Sequence, residues 1–355
     1  MLETKKGQLT VSCNIYDHRP DGVIYLITLK NRDLSVSVTN FGCIITAICT
    51  PDKNGSHKNI VAGYAELTDY RQNTHYFGCL LGRYANRISG AKFQMGQRTY
   101  KLSQNDGCDH LHGGFEGFNQ KTFNVAALIQ EDHEVGVEFE YLSKDGEEGY
   151  PGNLQVKVRY TLNDQNQLVM KYEATTDQPT PVNMANHSYF NLTGFETSDI
   201  LEHNLQINSG YYTENEGDIP NGNILPLDGT TFDFKFPRSI GLHRDQFSSE
   251  HGYNQNYILP EHAAGEVILA AKLDEQLSGR TLAVYTDQPG IQLYTANEWD
   301  GEICGAQGKY YQQYGAVALE TQNFPDSPNH PNFPNAILNP GETYHTTTIY
   351  EFGVE

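Results

Sequence analysis

Two residues in this chain are of the types that move protons between neighbouring oxygens: the carboxylate of Glu320 and the imidazole of His187. Glu320 lies in Ala316-Val-Ala-Leu-Glu-Thr-Gln-Asn-Phe-Pro-Asp326, where an apolar run gives way to a loop containing prolines 325, 328, 331 and 334. Proline fixes φ and removes a backbone donor, so this loop is expected to be neither helix nor inner strand. The pattern places a carboxylate at a rigid strand end, where it is well held to act as a base. An ordinary surface glutamate before a turn would show the same local pattern. His187 lies in Asn183-Met-Ala-Asn-His-Ser-Tyr-Phe-Asn-Leu192, among Asn186, Ser188 and Asn191, each able to orient a ring nitrogen. The bland alternative is a satisfied core histidine. A carboxylate and an imidazole have separated pKa values, so one can begin as base while the other begins as acid. Such a pair supports reversible proton transfer with neither a metal nor a covalent intermediate.

Two further polar islands interrupt the apolar pattern. Gly82-Arg-Tyr-Ala-Asn-Arg-Ile-Ser-Gly90 carries Arg83 and Arg87, whose fixed donors suit hydroxyls or a carboxylate, or equally the carbonyls of a loop. Asn105-Asp-Gly-Cys-Asp-His-Leu-His-Gly-Gly114 carries His110 and His112. On a strand, residues two apart face one side, so this pair could ligate a metal; otherwise one ring is a hydrogen-bonding group and the other incidental. The Gly-Gly that follows would let a ligand approach the backbone. A serine hydrolase is disfavoured, because no G-x-S-x-G elbow occurs, and no glycine-rich dinucleotide or phosphate loop is present.

These islands are embedded in a chain whose pattern is overwhelmingly β. Leu34-Ser-Val-Ser-Val-Thr39 and Leu154-Gln-Val-Lys-Val-Arg-Tyr160 alternate as half-buried strands do. Runs at 23–29, 168–174, 267–273, 282–286, 291–295 and 343–352 continue the theme, with a turn at 163–166. Short helical turns are expected near 64–69 and 243–246, and no segment keeps a helical period over three turns. With 33 glycines, 15 prolines and 23 tyrosines, composition agrees with strands and loops. The expectation is an all-β protein, one large antiparallel sandwich domain over residues 1–355.

The net charge of −20, from 44 acidic against 24 basic residues, argues against nucleic acid or anionic membrane as partner, since both require basic surface. A neutral small molecule fits. No apolar run approaches the roughly 18 residues of a membrane helix, and the N-terminal residues lack a signal-peptide core, so the cytoplasm is the expected compartment. Cysteines 13, 43, 49, 79, 108 and 304 form no C-x-x-C pair and are expected to be buried free thiols.

Taken together, the islands resemble the aldose 1-epimerase (galactose mutarotase) family. The similar motifs are Asn40-Phe-Gly42, Gly82-Arg-Tyr-Ala-Asn-Arg-Ile88, Leu111-His-Gly-Gly114, Asp145-Gly-Glu-Glu-Gly-Tyr-Pro-Gly152, Asn186-His-Ser-Tyr-Phe-Asn-Leu192, Pro289-Gly-Ile-Gln-Leu-Tyr-Thr295 and Leu319-Glu-Thr-Gln-Asn-Phe-Pro-Asp326, in the family's order over nearly the whole chain. The resemblance implies a β-supersandwich, no cofactor, a free monosaccharide as substrate, and interconversion of its α and β anomers. It implies that Glu320 takes the proton from the C1 hydroxyl, that His187 protonates the ring oxygen, and that His112 holds the sugar and polarises the reacting oxygens. Asn86, Arg87 and Gln292 match hydroxyl-binding positions. One departure stands out: the family's G-Y-D-H-like segment reads His251-Gly-Tyr-Asn-Gln-Asn-Tyr257 here, so Asn254 replaces an acid and a charge-assisted bond becomes a neutral one. Substrate preference, rather than proton transfer, is what this change is expected to touch. A non-catalytic sugar-binding protein on the same fold, monomeric or dimeric like the enzyme reading, is the alternative.

Overall fold

The computed structural model describes residues 2–6, 8–20, 22–72, 74–246 and 252–355; His251 of the departing segment therefore lies outside the described residues. Three large antiparallel sheets dominate. The N-terminal six strands, from Leu2–Lys6 to His57–Asn59, pair in sequence order. A nine-stranded sheet begins with Asn124–Gln130, Glu134–Ser143, Leu154–Asn163 and Gln167–Thr176. It then takes in the C-terminal strand Tyr344–Val354, followed by Arg280–Thr286 and Ile268–Asp274. The last strand is thus central, flanked on one side by Gln167–Thr176 and on the other by Arg280–Thr286.

The period-2 pattern explains the layers. In Leu154–Asn163, Leu154, Val156, Val158 and Tyr160 are fully buried; Gln155, Lys157 and Arg159 alternate with them. These apolar faces join Val11, Ile27, Leu29, Val36 and Val38 of the N-terminal sheet in one core cluster. At about 25 cal/mol per Å² of apolar surface removed from water, that interdigitated face is the main stabilising term. The short helix Leu67–Tyr70 and the 3₁₀ turn Ile240–Gln246 appear where helical turns are expected.

The third sheet carries the polar chemistry. Its order is Tyr189–Phe190, Val317–Gln322, Gly290–Tyr294, Asn254–Ile258, Tyr211–Glu216 and Ile219–Pro226. Leu319 opposes Leu293 on the apolar side, while Glu320 opposes Gln292 and Gln292 opposes Asn256. Directly opposed and alternate residues share a face, so Asn254, Asn256, Gln292, Glu320 and Gln322 form one polar row across the sheet.

Three expectations need correction. The strand bearing Glu320 runs on to Gln322, so the carboxylate sits inside a fully buried strand rather than at its end. The proline loop does contain one 3₁₀ turn, Ser327–Asn329, because Pro328 falls in its first turn, where no N–H is needed. Cys13, Cys43 and Cys79 are buried, but Cys108 and Cys304 are exposed.

Candidate active site

A cavity of about 120 Å³ opens beside this polar row, lined by Asn86, Arg87, His112, His187, Asn254 and Glu320 together with Thr74, His75, Tyr76, Leu111, Tyr189, Asp218, Tyr294 and Glu298. Six of the seven residues singled out from the sequence therefore line one space, and the seventh, Gln292, donates from Nε2 to Asn254 Oδ1 at 2.8 Å.

Glu320 and His187 form the cavity floor. Both are buried, and His187 Nε2 lies 3.5 Å from Glu320 Oε1. Burial pushes the Glu320 carboxyl up to about 8, opposed in part by the charge of Arg87. Burial likewise pushes the His187 imidazole down to about 3. Among the described residues Glu320 Oε2 and His187 Nδ1 have no hydrogen-bond partner, so each group keeps an unspent polar atom in a buried setting. Asn186, Ser188 and Asn191 do not orient the ring. Asn186 Nδ2 donates to the Gly78 carbonyl, its Oδ1 accepts from Ser188, and Asn191 serves Gly315 and Thr193. Stacking holds the imidazole instead: Tyr189 lies 4.6 Å away at 21° and Tyr76 6.2 Å away at 11°. The stretch Asn186-His-Ser-Tyr189 thus fixes its histidine by neighbouring rings and frees the amide for the backbone.

His112 meets His187 edge to face, with ring centroids 5.3 Å apart. The Asn86 N–H donates to His112 Nδ1 at 3.0 Å, and the His112 N–H donates to the Asn86 carbonyl at 3.1 Å. An Nδ1 that accepts must leave the proton of the neutral ring on Nε2, so His112 presents a donor to the cavity. Burial, then His187 and Arg87, holds its pKa well below the ordinary value and keeps it neutral. Both residues of this reciprocal pair have positive φ, 64° for Asn86 and 52° for His112.

That φ also undoes the paired H-x-H reading. The strand His110–Leu111 ends before His112, so the two rings diverge. His110 Nε2 is bonded to Tyr150 Oη at 2.7 Å and Nδ1 to the Ser103 carbonyl at 2.8 Å, both inside the core. The Gly-Gly that follows makes room for protein rather than ligand. A Cβ on Gly113, at φ +92°, would fall 1.8 Å from the Gly82 carbonyl oxygen, and one on Gly114 would meet Glu148. The donor atoms that do converge are those of His112, His187 and Glu320, all within 4.8 Å of one another, a set that suits proton transfer and is also able to hold a divalent cation.

Arg87 is clamped between carboxylates, Nε on Asp106 at 2.7 Å and Nη2 facing Asp218 at 3.5 Å. Arg83 plays another part. It is buried, its Nε donates to Ser143 Oγ, and its terminal nitrogens donate to the carbonyls of Ser143, Lys144, Pro151 and Gly152 at 2.9–3.0 Å. It ties the 143–152 segment to the site and has no face on the cavity. Asp218 was not legible as a site residue. Its only sequence signal is a Gly-Asp turn between strands, which marks a hairpin tip and nothing more.

A larger cleft of about 620 Å³ is lined by Tyr211, Leu259, Pro260, His262, Asp287 and Phe324 among others. Its histidine and aspartate are already engaged, His262 with the Pro260 carbonyl and Asp287 with the Thr347 N–H.

Comparison with known proteins agrees with this geometry. The family model described as aldose 1-epimerase matches residues 25–351. Galactose mutarotase of Mus musculus is 41% identical over 349 residues, covering 98% of this chain and 99% of the mouse protein. Aldose 1-epimerase of Escherichia coli K12 is 37% identical over 346 residues, covering 95% and 97%. Among solved structures, galactose 1-epimerase from Lactobacillus acidophilus superposes with a TM-score of 0.85 at 26% identity over 98% of this chain and 99% of that one. The Caenorhabditis elegans aldose epimerase homologue gives 0.84 at 26% identity over 91% and 96%. This chain belongs to the aldose 1-epimerase family.

Proposed function

We propose that Glu320 and His187 open and close the ring of a free aldose such as galactose or glucose, so that its α and β anomers interconvert. The observation that carries this reading is the buried 3.5 Å contact between a carboxyl held protonated and an imidazole held neutral. Such a pair shares one titrating proton. Moving that proton across 3.5 Å gives the working form, a Glu320 carboxylate and a His187 imidazolium, and the nearby Arg87 charge favours the carboxylate. Glu320 then accepts the proton of the C1 hydroxyl while His187 protonates the ring oxygen. The aldehyde turns about C1–C2, and the ring closes on the other face with the roles reversed. His112 Nε2–H supplies a fixed donor to the reacting oxygens, Asn86, Arg87 and Asn254 bind hydroxyls, and Gln292 acts through Asn254, whose amide it holds. A positioned acid or base typically contributes about 10²–10⁴-fold. The whole chain serves as one unit in this account, with the C-terminal strand inserted between earlier ones as support for treating 1–355 as one domain.

Optical rotation of freshly dissolved α-galactose and α-glucose tests the reading. Addition of protein is expected to speed decay to the equilibrium mixture, with no loss of rate in EDTA. Decay at the spontaneous rate for both sugars and for xylose, arabinose and maltose would instead indicate a binding protein. The rate also has a predicted pH dependence. The pair carries its one proton between about 3 and about 8. After correction for the spontaneous reaction, kcat/KM should be flat through neutrality and fall about tenfold per pH unit above about 8, as the acid is lost. A kcat/KM that climbs through pH 8 would contradict the shared proton.

A further inference from the structure

The polar row of the third sheet ends in a charge that the proton-transfer chemistry does not use. Gln292 Nε2 donates to Asn254 Oδ1 at 2.8 Å and Asn254 Nδ2 donates to Asp218 Oδ1 at 3.0 Å, while behind them Gln322 Nε2 is shared between Asn256 Oδ1 at 3.4 Å and Gln292 Oε1 at 3.5 Å. The Gln292 and Asn254 amides point the same way. A terminal anion is what orders such a chain, because each amide then donates toward the charge and polarises the next. Asp218 reaches this place from the turn that joins Tyr211–Glu216 to Ile219–Pro226. Its other oxygen faces Arg87 Nη2 at 3.5 Å.

Its exposure sets it apart. The Glu320 side chain is 2% exposed and that of Asp218 is 47% exposed, although both line the same cavity. Glu320 and His187 are therefore the floor and Asp218 the rim. A pyranose whose C1 and ring oxygen meet the floor turns its opposite edge, with the C3 and C4 hydroxyls, toward the rim. An ionised carboxylate only accepts hydrogen bonds, and a sugar edge is a row of donors. We propose that Asp218 is a substrate-binding residue that accepts hydrogen bonds from sugar hydroxyls remote from C1, with Asn254 and Gln292 holding its orientation. This rests on the reading that the cavity takes a free aldose. It also gives residue 254 a reason to be neutral: a second carboxylate there would stand about 3 Å from the first and repel it.

The test is kinetic and uses three variants, Asp218→Asn, Asn254→Asp and the two combined, with α-galactose and α-glucose as substrates. Asn is as good a turn former as Asp, so Asp218→Asn removes the charge and keeps the hairpin. Its KM is expected to rise about tenfold with kcat within about threefold, the loss of one charge-assisted bond. Asn254→Asp alone should raise KM at least as much, because it sets two carboxylates against each other. The combined variant moves the charge by one link and rejoins the chain, and its KM should return to within about threefold of the parent. An unchanged KM in Asp218→Asn, or a combined variant no better than Asn254→Asp, would overturn the proposal. If the parent does not accelerate mutarotation, calorimetric titration with the same two sugars separates the cases: tenfold weaker binding by Asp218→Asn supports Asp218 while the isomerase reading falls, and no binding by the parent overturns both.

Discussion

Replacing Glu320 by Gln is expected to lower kcat by about 10²–10⁴-fold while leaving KM nearly unchanged, because an isosteric amide keeps the shape of the floor and loses only the proton acceptor. Glu320 lies within the strand Val317–Gln322, all of whose residues are buried, opposite Gln292. Its Oε2 has no partner to lose among the described residues. The same substitution should make the protein more heat-stable at alkaline pH. The Glu320 carboxyl is raised from 4.5 to about 8 in the fold, so its favourable contribution is complete below about 4.5 and is lost as pH rises through about 8. Above that, the parent holds a buried carboxylate that the Gln variant does not. The Tm difference between the two proteins should be small near pH 5 and grow toward pH 9, reaching on the order of a few kcal/mol in stability. A variant that keeps more than a tenth of the parent kcat, or gains no relative stability between pH 5 and 9, would remove Glu320 from its role. The exchange of activity against stability follows from burying an ionisable group where the reaction needs one.

The second large effect is structural. Arg83→Ala removes a donor from four carbonyls, and of these only the Lys144 carbonyl is known to keep another, the Glu147 N–H; those of Ser143, Pro151 and Gly152 lose a buried one. Each orphaned group costs about 1–3 kcal/mol unless water reaches it, so a loss of at least about 3 kcal/mol is expected, together with a Tm lower by roughly 4 °C or more. Arg83→Lys should recover only part of this, since one ammonium does not span five acceptors arranged around a planar fork. Thermal unfolding of the two variants checks it. The parent Tm in Arg83→Ala combined with a raised KM would make Arg83 a sugar binder instead of a tie.

The two arginines show what the sequence could and could not reveal. Arg83 and Arg87 stand four apart in one motif with the same chemistry available. Which one faces the cavity depends on segments 143–152 and on Asp106 and Asp218, all distant in sequence. Strands were legible wherever one face is buried, as in Leu154–Asn163, because period-2 alternation is a local signal. The placement of Tyr344–Val354 at the centre of the nine-stranded sheet was not, since pairing partners leave no local mark. Glu320, His187 and His112 were legible through motifs, but their support was not. Tyr76 and Tyr189 hold the His187 ring where neighbouring amides were expected, and a positive φ at His112 breaks the alternation that would have paired it with His110. Asn254 was legible as a departure. Its meaning came only with Asp218, which approaches it from a hairpin turn 36 residues earlier.

The central claim is that Glu320 and His187 act as one proton-transfer unit. Measuring kcat for α-galactose in Glu320→Gln, His187→Gln and the double variant tests it most directly. A unit that shares one proton fails once either member is gone, so the double variant should be no more than about threefold slower than the slower single. Losses that multiply in the double variant would show two groups acting independently and would contradict the account.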